Sequence, residues 1–366
     1  MPERCRPLLL VVATTVAMVS CLTSCGSDSS GTEQQSGKGK IGIALPSTEQ
    51  ARWPSDGENM SEQFGLLGYS TMVRNAEDDA STQVEQINDM IKSRVKAIII
   101  AAVDGSSLTP TLERAGKKNI PIIAFDRLIM NSENVDYYTT FDNTKVGKLQ
   151  GQFLVDHLGL KTAKGPFAVE LFAGDPDDNN SKYFFEGAMA ILQPYISSGK
   201  LVVRSGQTAF SDVVTLKWDS GTAKSRMSLL LKKYYASTAV DAVLSPNDGL
   251  ARGILEALQK AGYGSGSKPY PAVTGQDAEL ESIKLIASGA QAQSILKDSR
   301  EMSKATVRMV DQILQGEKPE INNTTDYNNG VKAVPTFLLQ PVSITKDNYE
   351  TKIIKSGIFT AEQVGS

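Results

Sequence analysis

Apolar and polar positions fall into two alternating periods along most of the chain. IGIAL (41–45) is an apolar run of strand length, and ENMSEQFGLLGY (58–69) sets Met60, Phe64 and Leu67 on one helical face. STMVRNA (70–76) returns to strand character. STQVEQINDMIKSR (81–94) carries Val84, Ile87, Met90 and Ile91 on one face, with Ser81 placed to cap the helix. VKAIIIAAV (95–103) and IPIIAF (120–125) are apolar almost throughout, as strands of a parallel sheet covered on both faces are. LTPTLERAGKKN (108–119) between them reads as a helix.

The rhythm resumes from Lys145. Helices are predicted over 145–159, 182–196, 221–236, 249–262, 281–289 and 301–316, and strands over 166–174, 200–207, 240–246, 270–275 and 292–296. Strand–helix alternation on this scale means an α/β protein with parallel sheets, and its length suggests two doubly wound lobes.

The first residues break the pattern. MPERCRP is basic, LLLVVATTVAMVS is apolar but short, and LTSC (22–25) resembles the lipobox of bacterial lipoproteins. The expectation is a signal peptide over 1–24, a lipid on Cys25 and a flexible polar tether over 25–37. All three Cys (Cys5, Cys21, Cys25) lie in this stretch, so no disulfide, thiol nucleophile or Cys-based zinc site is expected in the folded part. Removing residues 1–24 takes the net charge from −3 to −4, because Arg4, Arg6 and Glu3 go with them. No basic block suits nucleic acid.

Catalytic signatures are scarce. The single His157 sits inside a helical stretch and reads as a surface or packing residue; no nucleophile elbow or phosphate-binding loop follows a strand. Asp175, Asp177, Asn179 and Glu186 match four positions of a calcium loop. Asn180 stands where its turn needs Gly, and Lys182 where an apolar residue belongs. No metal or cofactor is expected, and the chain is read as a binding protein rather than an enzyme. Plentiful carboxylates keep a glycosidase as the enzymatic alternative.

In open α/β sheets, ligands bind beyond the carboxyl ends of the strands. Those ends carry Arg52 and Trp53, Asp104, Asp126 and Arg127, DPDDNN (175–180), Asn247 and Asp248, Gln276 and Asp277, and Lys297 and Asp298. Trp218 opens the helix after 200–207. Singly, each Asp or Asn is an ordinary helix cap. Together with both Trp of the chain, they form a rim of fixed-geometry hydrogen-bonding groups. Such a rim suits a neutral polyol: carboxylates and amides meet hydroxyls, and indole faces cover the C–H faces of a sugar ring. Trp53 and Trp218 are then two aromatic plates, and Arg52 forks onto sugar oxygens.

ARW (51–53), IAFDRLI (123–129), YYTTFDN (137–143), LFAGDPDDNN (171–180), WDSGTAKSRM (218–227), VDAVLSPNDGL (240–250), TGQDAE (274–279) and YNNGVKAVPTFLLQPV (327–342) occur in this order. In that ordered string the chain resembles the periplasmic sugar-binding proteins of bacterial ABC importers, of the ribose/galactose/xylose type, over about 38–360. The resemblance implies a type I periplasmic binding protein fold: two Rossmann-like lobes joined by a three-crossover hinge. The N-terminal lobe would be 38–144 plus 298–328, and the C-terminal lobe 145–297 plus 329–366. FDN (141–143) would lie at the first crossover and Lys297 at the second. Carried over from the xylose-binding pattern, the ligand residues would be Arg52, Trp53, Asp126, Arg127, Asn180, Trp218, Asn247, Asp277 and Lys297. The implied ligand is an aldopyranose such as glucose, galactose, xylose or arabinose. The implied partner is an ABC permease in the membrane that holds the lipid, served by a monomer. The alternative is a sugar-sensing receptor that signals to a membrane histidine kinase.

Overall fold

In the computed structural model, which describes residues 37–50 and 52–365, the strand–helix rhythm builds two parallel sheets. The expected signal peptide, Cys25 and all of the tether but Gly37 lie outside the described residues. The first lobe runs β1 (Gly39–Leu45), α1 (Arg52–Leu66), β2 (Tyr69–Asn75), α2 (Ala80–Lys92), β3 (Ala97–Ile100), α3 (Thr109–Gly116), β4 (Ile122–Phe125), β5 (Tyr137–Phe141). The chain then crosses into α4 (Asn143–His157). The second lobe continues with β6 (Phe167–Leu171), α5 (Asn179–Ser197), β7 (Leu201–Val202), α6 (Phe210–Val213), a 3-10 turn (Leu216–Trp218) and α7 (Ser220–Tyr234). It goes on through β8 (Ala242–Leu244), α8 (Asp248–Lys260), β9 (Ala272–Val273), α9 (Leu280–Ser288) and β10 (Ser294–Leu296). Helix α10 (Ser299–Leu314) returns to pack on α1, β4 and β5, and β11 (Thr336–Leu339) follows it. Strand β12 (Val342–Ile344) and α11 (Ala361–Val364) end the chain in the second lobe.

The first sheet has the order β11-β5-β4-β3-β1-β2, with every pair parallel. The second has the order β7-β6-β8-β9. The antiparallel pair β10-β12 extends it through bonds from Ile295 N to Gly275 O (3.0 Å) and from Asp277 N to Ile295 O (2.8 Å). The apolar strands are covered on both faces. Ile98 and Ile100 pack with Ile87, Met90 and Leu112, while Ile99 packs on the opposite side with Met60, Phe64 and Val310. Each such fully buried side chain contributes about 1.5–3 kcal/mol.

The structure redraws several expected boundaries. Residues 329–339 belong to the first lobe, not the second. Strand β11 pairs with β5, Val334 and Tyr327 sit in the first lobe's core, and Asn329 Nδ2 donates to Ile129 O and Ser132 O at 3.3 and 2.7 Å. The third crossing is the short link Gln340-Pro341 between β11 and β12. Helix α1 begins at Arg52, not near Glu58, because Pro54 is accommodated in its first turn. Trp218 ends the 3-10 turn, and Asp219 caps α7 behind it. Ser81 is not the cap of α2: Asp79 is, accepting from Thr82 N. Asn179 opens α5, which carries Glu186 along its exposed face, 3.8 Å from Lys182.

Candidate functional site

The carboxyl ends of β1, β4, β6, β8, β9 and β10 converge on one cleft between the lobes. All nine residues named from the sequence line it, together with Gln50, Asp178, Phe184 and Gln276. It is narrow, with about 270 Å³ of unfilled space including its mouth.

Asp126 is its hub. Its φ is 61°, a left-handed backbone that sends its carbonyl and its carboxylate to different partners. The carbonyl accepts from Tyr138 OH, Thr140 Oγ1 and Asn180 Nδ2 at 2.5, 3.0 and 2.7 Å. Oδ2 faces Arg52 Nη2 at 2.9 Å and Lys297 Nζ at 3.4 Å. Asp277, from the other lobe, meets Arg52 Nη1 and Lys297 Nζ at 3.4 Å each. Burial alone would raise the Asp126 carboxyl; Arg52 and Lys297 outweigh it and hold the group well below the usual range. Burial likewise opposes the charge on Arg52, and Asp126, Asp56 and Asp277 overcome it, so the guanidinium stays charged. Asp56, one turn along α1, is fully buried at 3.5 Å from Arg52, and burial pushes it up to about 6.

Arg127, next to Asp126 on the first lobe, reaches across to the second. Its Nη1 donates to Ala102 O at 2.9 Å and its Nε lies 3.2 Å from Asp178 Oδ2. Asp178 also caps α5, accepting from Asn180 N at 3.0 Å; burial raises its carboxyl against the pull of Arg127. Asn180 bridges the hinge. Its Oδ1 accepts from Asn143 Nδ2 at 2.8 Å while its Nδ2 holds Asp126 O. Asn247 caps α8 through Oδ1 and lines the cleft, and the cap leaves its Nδ2 unused.

The two Trp enter from different lobes. Trp53 is 1% exposed, with the Arg52 and Arg127 guanidinium carbons 4.2 and 5.3 Å from its ring centre. Trp218 lies against Gly174, where a Cβ would come within 2.0 Å of the indole, so only glycine admits it. Phe184 meets Trp218 edge-on at 6.4 Å.

The sequence puts Asp178 and Gln276 on the rim without placing them among the ligand residues, and it does not single out Gln50 or Phe184. Asp178 carries the signal of a helix cap directly before Asn180, and Phe184 that of the i+4 position after it on α5. Gln276 stands at a strand end beside Asp277, while Gln50 lacks any local mark. Asp104 and Asp248, also at strand ends, do not line the cleft. Asp104 caps its own turn through Ser106 N at 2.7 Å, and Asp248 is buried beside Asn247. Among the described residues, no group of three or more His, Cys, Asp or Glu could hold a metal ion, and no helix is long and apolar enough to cross a membrane.

Residues 41–318 match the model of the periplasmic binding protein domain. The multiple sugar-binding periplasmic receptor ChvE of Rhizobium radiobacter is 50% identical over 327 residues, covering 89% of this chain and 92% of that protein. The D-xylose-binding periplasmic protein of Haemophilus influenzae is 33% identical over 326 residues, covering 89% and 92%. An ABC transporter solute-binding protein from Clostridium phytofermentans, with bound β-D-glucose, superposes with a TM-score of 0.85 at 43% identity, covering 89% of this chain and 99% of that one.

Proposed function

Because this chain belongs to the periplasmic binding protein domain family, we propose that it captures one aldopyranose between its lobes and delivers it to an ABC permease. The observation that carries the reading is the composition of the cleft. Three cations (Arg52, Arg127, Lys297) balance three carboxylates (Asp126, Asp178, Asp277), beside two indoles and the amides of Asn180, Asn247 and Gln276. A balanced, donor-and-acceptor-rich lining suits an uncharged polyhydroxyl ring and penalises a net charge. The narrowness of the cleft favours a single ring over a chain of them. The bound glucose of the Clostridium phytofermentans relative supports a hexopyranose.

Binding works by closure. Arg52, Trp53, Asp126 and Arg127 lie in one lobe and Trp218, Asn247 and Asp277 in the other, so a sugar that touches both favours the closed form. Micromolar affinity corresponds to about −8 kcal/mol. Several hydrogen bonds at about 0.5–1.5 kcal/mol net each, plus stacking on indole, supply that after the ordering cost. A lipid on Cys25 would hold the receptor at the outer face of the membrane, where a monomer presents its closed form to the permease.

Calorimetric titration of residues 26–366 with glucose, galactose, xylose and arabinose tests the reading. Saturable binding of at least one, with one site per chain, is expected. No heat with any of them, or cleavage of an oligosaccharide by the protein, would overturn it.

A further inference from the structure

Asp248 is fully buried beside the cleft without lining it, and among the described residues no Lys or Arg pairs with it. Apart from the bond from Gln291, its hydrogen bonds lead to one place. Its backbone N donates to Gln276 O at 2.9 Å. Its Oδ2 accepts from Glu279 N at 2.9 Å and from Ser294 Oγ at 2.9 Å. Ser294 Oγ in turn accepts from Ala278 N at 3.0 Å. Its Oδ1 accepts from Gln291 Nε2 at 2.9 Å. The residues gripped, Gln276, Ala278 and Glu279, bracket Asp277. Asp277 and Ala278 have φ of 92° and 50°, conformations that non-glycine residues seldom hold unaided.

We infer that Asp248 is a positioning residue for sugar binding: with Ser294 it clamps the 276–279 loop in its left-handed turn and so aims the Asp277 carboxylate at the ligand. The inference rests on the reading of Asp277 as a ligand-binding side chain. Because the two loop bonds share Oδ2, the clamp needs one acceptor oxygen rather than a charge. An amide can take that place once Gln291 turns its own amide over, so that Gln291 Oε1, which has no partner among the described residues, accepts from the new Nδ2 while the amide oxygen keeps Glu279 N and Ser294 Oγ.

The test combines affinity with hydrogen exchange on residues 26–366. Asp248→Ala is expected to weaken binding of the tightest monosaccharide more than tenfold and to expose the Ala278 and Glu279 amides to exchange. Asp248→Asn is expected to stay within about threefold of the parent and to keep both amides protected. In an Asp277→Ala background, Asp248→Ala is expected to cost less than a further twofold, because the aimed group is already gone. A merely structural role would add its full loss there. Ser294→Ala probes the same clamp with a small change and decides the matter if Asp248→Ala does not fold. Full additivity with Asp277→Ala, or unchanged protection of both amides in the folded variant, would overturn the inference. If the parent binds no monosaccharide, the functional reading fails, and the exchange data alone still decide whether Asp248 holds the loop.

Discussion

Asp126, Trp218 and Asp277 face the cleft with φ of 61°, 55° and 92°. Such backbones cost about 1–3 kcal/mol each and persist where surrounding bonds over-determine them. Around Asp126 those bonds come from Tyr138, Thr140 and Asn180. Trp53→Ala and Asp277→Ala are each expected to weaken sugar binding more than tenfold in calorimetry while the circular dichroism spectrum stays that of the parent. Unchanged affinity in both variants would remove these residues from the site. Buried carboxylates give a pH dependence whose sign follows from their direction. Burial, reinforced by Glu279 and Asp277, raises Asp248 from 3.8 to about 8. Its stabilising contribution is therefore complete below the unfolded value and is lost as pH climbs through the folded one. Asp126 is depressed, so its contribution is present above the unfolded value and is lost as acid protonates it. Melting temperature is expected to fall between pH 6 and 9, by at least about 2–4 °C. The Asp248→Asn protein should show a flatter slope over that range.

Helices α4 and α5 approach until their backbones touch. A Cβ on Gly147 would lie 1.9 Å from Phe184 O, and one on Gly187 2.3 Å from Thr144 O. Gly147→Ala must push the helices apart, and α5 carries Asn180 and Phe184 into the cleft. A loss of about 1–3 kcal/mol in denaturant melts is expected, together with weaker sugar binding. Unaltered stability would mean that the helices slide past each other freely. Most elements were legible because apolar runs such as 97–100 and periodic stripes such as Ile87, Met90 and Ile91 are local signals. The start of α1 was not, since Arg52, Pro54, Ser55 and Asp56 look like loop residues until Arg52 finds Asp126 in its own lobe and Asp277 across the cleft. The lobe of β11 was not legible either: TFLL is equally fit for either sheet, and its choice depends on an edge formed by distant β5. The cleft residues could be gathered because strand ends share a rim. The clamp under Asp277 could not be foreseen, because Ser294 sits inside a strand-like stretch and Gln291 just before it, both without local distinction.

Across the whole molecule, three crossings join the lobes: after β5, after β10 and between β11 and β12. Lys297 stands at the second crossing, and its ammonium reaches Asp126 of one lobe and Asp277 of the other. Saturating sugar is expected to lower the radius of gyration in solution scattering, as the open population empties into the closed one. An unchanged radius despite measured binding would rule out closure as the coupling step. The position of β11 has a further consequence, for the order in which the molecule can be completed. Its partner β5 is made early, yet the strand that covers β5 comes only after the entire second sheet. During synthesis the first sheet therefore waits with a bare edge, and a bare edge is a template for strands of other chains. A chain clipped before Thr336 would keep that edge for good; in the full chain β11 covers β5, and Asn322 and Asn323 bond Thr336 and Leu338 along the outer side of β11, so the two segments close together an edge that would otherwise stay open to strands of other chains.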